Sequence, residues 1–425
     1  MGEKSKIGEA ENLPEGWKRV RLGEVIEESK ERKNNKYVNI VLTISNLFGF
    51  VDQTEFFGRN LSSNDTRKYK IVNLDYFAYN PARINVGSIA LNENYEVAIV
   101  SPMYVVFKTK SSLSAKFLRS HVQRESFKYQ VINNTAGTVR ESLNFAALAQ
   151  FDFLLPPLPE QQKIAEILET VDNAIEKTDA IIEKYRRIKQ GLMEELLTKG
   201  IDENGKIRSE KTHKFKDSPL GRIPIEWEVK RLGDISKIES GSTPSTNVSA
   251  YWNGNIVWLT PDDLSKAKNL LISNSSRKIT QEGLKKSSAK LIPAYSIIVS
   301  SRAPIGYIKI CLTDFATNQG CKSIVKNERF NSFFLAYLLT TQVKNMFNLG
   351  SGTTFQEISK SNIEKITITL PPLPEQQRIS EILSQVDEVI EKEQAYKEKL
   401  ERMKKGLMED LLTGKVRVNS LIKEA

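Results

Sequence analysis

Leu155-Pro-Pro-Leu-Pro-Glu-Gln-Gln162 and Leu370-Pro-Pro-Leu-Pro-Glu-Gln-Gln377 are the same eight residues, 215 positions apart. Set against each other without a gap, Leu155 to Thr198 and Leu370 to Thr413 are identical at 29 of 44 positions, so the chain is a tandem duplication. Upstream, Pro14, Trp17, Arg21, Leu22 and Gly23 match Pro224, Trp227, Arg231, Leu232 and Gly233 at an offset of 210. Between these anchors identity fades to echoes. Arg83 and Gly87 face Arg302 and Gly306, and Gly137-Thr138 faces Gly352-Thr353. Each copy is a variable body followed by a repeated tail.

The tails read as long helices. Successive prolines force extended geometry on the residues before them, so each helix begins at the end of the octapeptide. Pro159 and Pro374 suit the first helical position, and Glu160 and Glu375 set a carboxylate in the first turn, where the helix dipole favours it. Thr198-Lys199-Gly200 and Thr413-Gly414 are the matching stops. In the first tail Ile164, Leu168, Val171, Ile175, Thr178, Ile182, Tyr185, Leu192 and Leu196 alternate fours and threes around Lys189, the pattern of a coiled-coil seam. The second tail repeats it with Ile379, Leu383, Val386, Ile390, Leu400, Leu407 and Leu411. It also places Glu393, Lys397 and Lys404 on the strict seam, so its packing is expected to drift onto Val389, Tyr396 and Met403.

A helix of about 40 residues is roughly 60 Å long, more than one small domain covers. Two such helices, each leaving its own body, pair most simply by running antiparallel. The expected fold is therefore mixed α/β (α+β): two globular domains separated by an antiparallel coiled coil, with internal pseudo-twofold symmetry. The expected boundaries are a first body over 1–155, the first helix over 156–200, a linker and second body over 201–370, and the second helix with a tail over 371–425. Gly191 and Gly406, about two turns before each stop, are expected to permit close helix approach or a kink, since glycine otherwise costs near 1 kcal/mol there.

Composition narrows the function. The 62 Lys and Arg outnumber 52 Asp and Glu, for a net charge of +10, which favours a polyanionic partner. Cys311 and Cys321 have neither CxxC spacing nor neighbouring histidines; they read as two buried thiols in a reducing compartment. The first residues form no signal peptide, and no apolar run reaches the roughly 18 residues a membrane span needs, so a soluble, cytoplasmic protein is expected. His121 and His213 fall at unrelated places in the two copies, so no triad or metal chemistry repeats, and both read as exposed.

In the bodies, strands are expected over Tyr37–Ser45, Asp75–Tyr79, Val97–Phe107 and Phe151–Leu155 in the first copy, and over Tyr295–Ser300, Gly306–Cys311 and Lys365–Leu370 in the second. Helices are expected over Ala115–Gln130 and Asn331–Met346. Gly350-Ser-Gly-Thr-Thr354 lacks the Lys of a P-loop, Asn80-Pro-Ala-Arg83 lacks the aromatic residue of a base-flipping methylation motif, and Asp262-Asp263 reads as a turn or helix cap. No catalytic residue, metal site or cofactor site emerges. Polar and basic loops do recur beside the strands, supplying groups that read base edges or clamp phosphates. The candidate contacts are Asn80, Arg83, Asn85, Thr135, Thr138 and Arg140 in the first copy, and Ser242, Thr243, Ser245, Arg302, Thr353, Thr354 and Gln356 in the second. Taken singly, each also reads as part of an ordinary solvated turn.

The two copies of LPPLPEQQ-[KR]-I-x-E-I-L-x-x-V-D, the two copies of GLMExLLT, the starts W-x-x-x-R-L-G, and GSTPSTNVSAYWNGNIVWLTPDDL in the second body resemble the specificity subunit of a type I restriction-modification system. The resemblance covers essentially the whole chain. It implies a noncatalytic DNA-binding subunit whose two target-recognition domains each read one half of a bipartite DNA sequence. It further implies that the helices set the spacer and dock methyltransferase subunits, which carry S-adenosylmethionine and methylate adenine, and that nuclease/translocase subunits join them. The region Lys33 to Asp65 lacks the GxTPS and YWxG pieces of the second body, so the two half-sites are expected to differ. The competing readings are a coiled-coil scaffold that only joins proteins, and an enzyme acting on nucleic acid by itself.

Overall fold

The computed structural model describes residues 13–34, 37–45, 49–58, 65–135, 142–302, 304–350 and 357–422. They form two compact units: residues up to Thr178 together with Tyr396 onward, and Asp179–Ala395. The long helices run Leu158–Leu196 and Leu373–Leu411, so each unit holds part of both. Each helix starts one residue before its expected proline.

The same joint is built in both units. In the first, Lys18–Arg21 pairs antiparallel with Asp152–Leu155, the strand that runs into the first long helix; in the second, Glu228–Arg231 pairs with Thr367–Leu370 in the equivalent register. Leu22 N–H donates to the Phe151 carbonyl and Leu232 N–H to that of Ile366, both at 2.9 Å. Gly23 lies so close to Ala149 that an added Cβ would come within 2.7 Å of the Ala149 Cβ, which explains the glycine of the R-L-G repeat. The LPPLP strand and the W-x-x-x-R-L-G start are thus two halves of one device, far apart in sequence and adjacent in space.

Below that pairing lies a buried carboxylate. A buried indole N–H needs an acceptor, and a buried carboxylate needs a cation, so the two are set to satisfy each other. Glu160 accepts from Trp17 Nε1 at 2.9 Å and from Arg417 Nε and Nη2 at 2.8 and 3.0 Å. Glu375 accepts from Trp227 Nε1 at 3.2 Å, Ile201 N–H at 2.9 Å, and both terminal nitrogens of Arg208. Gln161 and Gln376 finish the joint. Each donates to the carbonyl of the first proline of its own octapeptide and accepts from the backbone N–H of a helix cap, Ser114 or Asn331.

The bodies carry the mixed α/β character. The first contains a four-stranded antiparallel sheet in the order Ile26–Ser29, Val105–Thr109, Tyr76–Tyr79, Ile89–Leu91. The second contains a five-stranded sheet in the order Ile238–Ser240, Cys321–Ile324, Ile297–Ser300, Ile308–Cys311, Leu271–Ile272, and a three-stranded sheet of Arg277–Ile279, Trp252–Leu259 and Phe315–Thr317. Cys311 and Cys321 are buried. Asp263 closes a capping box with Thr260, as its cap reading requires.

Several expectations need correction. The run Val97–Phe107 is two strands, Val97–Val100 and Val105–Thr109, because Ser101-Pro102 opens a turn closed by Tyr104 N–H on the Ser101 carbonyl. Within Tyr37–Ser45 only Leu42–Ser45 forms a strand. Each body helix is split: Ala115–Val122 and Glu125–Thr135, Ser332–Thr341 and Val343–Leu349. His121 is buried against the Phe153 ring at 4.4 Å. Burial, reinforced by the positive charge of Arg124, depresses its pKa to about 3.

The long helices pair antiparallel. In the first unit the early turns of the first helix, at Ile164 and Leu168, share a core with Leu407, Leu411 and Leu412; in the second unit Leu192 and Leu196 share one with Ile379 and Leu383. The seam of the first helix is followed residue by residue, with Val171, Thr178 and Ile182 buried and Ile175, Tyr185 and Lys189 half-buried. In the second helix Ile390 and Leu400 are buried and Val386 half-buried. The expected drift is confined to Val389, which is half-buried; Tyr396 and Met403 are 50% and 45% exposed, whereas Glu393, Lys397 and Lys404 are half-buried. The reason is electrostatic. Lys404 Nζ meets Asp172 Oδ1 at 2.6 Å, and its repeat equivalent Lys189 meets Asp387 Oδ1 at 2.6 Å. Charged seam positions with partners on the facing helix hold a register, which a uniformly apolar seam does less well. Gly191 and Gly406 permit no close approach within the chain, since both are exposed and an added Cβ at either meets nothing within 4 Å.

Candidate nucleic-acid interface

The second body gathers its described candidates near one another. Gly241 N–H donates to the Cys321 carbonyl, Ser242 N–H to the Thr317 carbonyl at 2.8 Å, and Thr243 Oγ1 to Gln319 Oε1 at 2.6 Å. A Cβ at Gly241 would lie 2.0 Å from the Asn318 carbonyl oxygen, so only glycine lets the two loops lie this close. Trp258 Nε1 donates to the Ser242 carbonyl and Trp252 Nε1 to that of Ser245, both at 3.1 Å. The two indoles are perpendicular, 5.0 Å apart and buried. A rigid aromatic pair therefore holds the loop by its backbone, with Ser242 and Thr243 half-buried and Ser245 exposed.

Arg302 joins the same edge. Ser301 N–H donates to the Gly320 carbonyl, and Ile358 N–H to the Ser301 carbonyl. Arg302 Nε donates to Glu357 Oε2 at 2.9 Å, and the buried Lys322 Nζ reaches Glu357 Oε1, Ser301 Oγ and the Gln319 carbonyl. Desolvation pushes the Glu357 pKa up, but the Arg302 hydrogen bond and the Lys322 charge outweigh it and hold the carboxyl below its usual range. Ser242, Thr243, Gln319 and Arg302 thus come from three separate loops onto one polar rim. Thr353, Thr354 and Gln356, just before Glu357, lie outside the described residues.

In the first body the candidates form a smaller turn. Asn80 Oδ1 accepts from Ala82 N–H at 3.1 Å, Arg83 N–H donates to the Asn80 carbonyl, and the turn closes through Gly87 at φ 91°. Gly306, its echo in the second body, has φ 99°. Arg83 and Asn85 are exposed. Leu143 N–H donates to the Pro81 carbonyl, which ties this turn to the chain following Thr138 and Arg140, themselves outside the described residues. Thr135 is a correction: it is buried, and its hydroxyl donates to the Val131 and Ile132 carbonyls, so it ends a helix and does not face a ligand. Among the described residues no group of His, Cys, Asp and Glu could hold a metal ion, and no helix is long and apolar enough to cross a membrane.

A second kind of surface recurs in both units. In the second, Arg186, Lys189, Gln190, Met193, Glu194 and Thr198 form the helical wall of a groove of 650 Å³, closed by Leu338 and Thr341. In the first, Glu401, Lys404, Lys405, Met408, Glu409 and Thr413 wall a groove of 620 Å³ beside Gln123 and Arg124. Residue by residue, the second wall is the first displaced by 215.

The family model described as type I restriction modification DNA specificity domain matches this chain twice, over residues 14–184 and 224–402. The chain belongs to that family. A putative type I restriction enzyme MjaX specificity subunit of Methanocaldococcus jannaschii is 30% identical over 98% of this chain and 97% of its own length. The MjaIX specificity subunit of the same organism is 37% identical over 44% of each chain. Among solved structures, a type I restriction-modification S subunit from M. genitalium shares the fold at TM-score 0.57 and 13% identity, covering 94% of this chain and 96% of that one.

For a member of this specificity family, sequence reading missed three things. Gln319, Lys322 and Glu357 carry no motif and are gathered only by folding. Arg277, directly after Ser273-Asn274-Ser275-Ser276, belongs to no repeated motif, and only folding brings it against Trp252. The buried clamp did leave a trace, because Gly205-Lys206-Ile207-Arg208 and Gly414-Lys415-Val416-Arg417 are a further short repeat ending in the arginine that meets Glu375 or Glu160.

Proposed function

We propose that this chain is the noncatalytic DNA-specificity subunit of a type I restriction-modification enzyme, and that each body reads one half of a bipartite, asymmetric DNA target. The carrying observation is that the DNA specificity domain occurs twice in one chain on equivalent joints, while the polar rims differ. The reading surface of the second body is the rim of Ser242, Thr243, Ser245, Gln319 and Arg302. That of the first is the turn of Asn80, Arg83 and Asn85. The basic balance of the chain supplies the nonspecific part of the affinity.

The antiparallel helices are the spacer ruler, and the two equivalent grooves are docking places for methyltransferase subunits. Those partners carry S-adenosylmethionine and transfer its methyl group to adenine, and nuclease/translocase subunits complete the enzyme. The chain acts in the cytoplasm. The test is to reconstitute the chain with its methyltransferase partner and map methylated adenines. A two-part asymmetric motif is expected, and removing matched heptads from both helices is expected to change the spacer while leaving the half-sites. A chain that assembles proteins without any sequence preference would make it a scaffold, and methylation or cleavage by the isolated chain would make it an enzyme.

A further inference from the structure

We infer that Arg277 is a phosphate clamp of the second body, fixed by the same tryptophan pair that holds the Gly241–Thr246 loop. The inference rests on the reading of this body as a DNA-binding domain. The Arg277 guanidinium carbon lies 3.6 Å from the centre of the Trp252 ring and 5.9 Å from that of Trp258. The side chain sits at the surface, on the strand Arg277–Ile279 paired with the strand that carries both tryptophans.

Two features of this arrangement point to a ligand. Stacking engages one face of the guanidinium and leaves its N–H donors, which lie in the plane, directed along the surface. A guanidinium held flat has already lost most of the freedom that binding would otherwise remove, and its planar fork matches two oxygens of a phosphate. The base beneath it is rigid: Trp252 is buried, is perpendicular to Trp258, and donates its own N–H to the Ser245 carbonyl. Through these indoles, Arg277 and the hydroxyl-bearing loop are parts of one packed assembly. A phosphate gripped by Arg277 would therefore set the distance at which Ser242, Thr243 and Ser245 approach the bases. Positioning by backbone contact combined with reading by neighbouring loops is how protein–DNA interfaces divide the work.

The test uses the full chain assembled with its methyltransferase partner. Binding to a duplex carrying the mapped target and to an unrelated duplex is measured over a salt series for wild type, Arg277→Gln and Arg277→Lys. Circular dichroism and melting confirm that the variants fold. Arg277→Gln is expected to weaken both duplexes about tenfold, to reduce the salt slope by about one, and to leave the methylated motif unchanged. Arg277→Lys is expected to restore the slope while recovering only part of the affinity, since the charge returns without the stacked fork. Unchanged affinity and slope in Arg277→Gln would show a purely structural stack and overturn the inference. A loss confined to one base of the motif would overturn it in favour of base reading. Failure of the wild-type assembly to prefer any duplex would instead sink the DNA-reading assignment, so the two failures are distinguishable.

Discussion

The two joints and the two reading surfaces have diverged by very different amounts. At the joints, strand register, indole, carboxylate, glutamine and arginine recur with the same partners, even though the arginine follows its helix by different distances. At the rims, the second body has a tryptophan-anchored loop, whereas the first has the turn of Asn80, Arg83 and Asn85, held by its own backbone and Gly87, and its one tryptophan, Trp17, belongs to the joint. A buried, charged joint tolerates few substitutions because each partner removed leaves another uncompensated. A solvated loop held by its backbone is free to change side chains. The molecule thus separates what must stay constant, the frame, from what must vary, the sequence choice.

The largest test of that comparison is to break the clamps. Glu160→Ala and Glu375→Ala are each expected to destabilise their own unit by about 3–5 kcal/mol, measured by denaturant unfolding. Glu375 should cost more, because it also holds the Ile201 N–H and a more deeply buried arginine. A negligible loss at one site would break the equivalence of the joints.

Next in size is a difference between the units. The helix caps Ser114 and Asn331 are equivalent and 217 residues apart, so the counterpart of His121 is Leu338. The folded pKa of His121 is depressed to about 3 from an ordinary 6.5, so the unfolded chain takes up the proton first. Its neutral form thus supports stability fully above pH 6.5, and that support is lost as pH falls from 6.5 toward 3, reaching on the order of a few kcal/mol. His121→Leu should remove this acid sensitivity from the first unit. Equal pH profiles for wild type and variant would refute it.

A smaller gain is expected from Gly191→Ala with Gly406→Ala, roughly 1 kcal/mol per site in thermal unfolding, since neither Cβ meets anything in the chain. If the double variant is stabilised yet assembles poorly with the methyltransferase, the glycines serve close approach of a partner. Smallest is the seam pair. Lys404→Ala and Lys189→Ala should each cost about 0.5–1 kcal/mol, and exchanging Lys404 with Asp172 should restore most of the first loss. Absence of rescue in a double-mutant cycle would show that the two charges do not interact.

The frame was legible in the sequence because it is repeated and periodic. The octapeptides mark where helices begin, and the residues at the fours and threes from Ile164 to Leu196 are buried or half-buried. The failures share a cause. Lys404 read as a seam defect because its partner Asp172 lies 232 residues earlier. His121 read as exposed because an isolated polar residue says nothing of the Phe153 ring it packs against or of the core that buries it. Gly191 suggested a close helix approach or a kink, and the approach is absent within the chain because its surroundings are decided by side chains on other elements.

By itself, then, the sequence determined the duplication, the two long helices and the division between constant and variable parts, because local propensity and periodicity act along the chain. The tertiary structure alone decided which charges meet across the helix pair, which arginine closes on Glu160 or Glu375, and which loops form the rim around Arg302. These depend on burial and on contacts between residues up to 257 positions apart, where removal from water turns an ordinary polar side chain into a required partner.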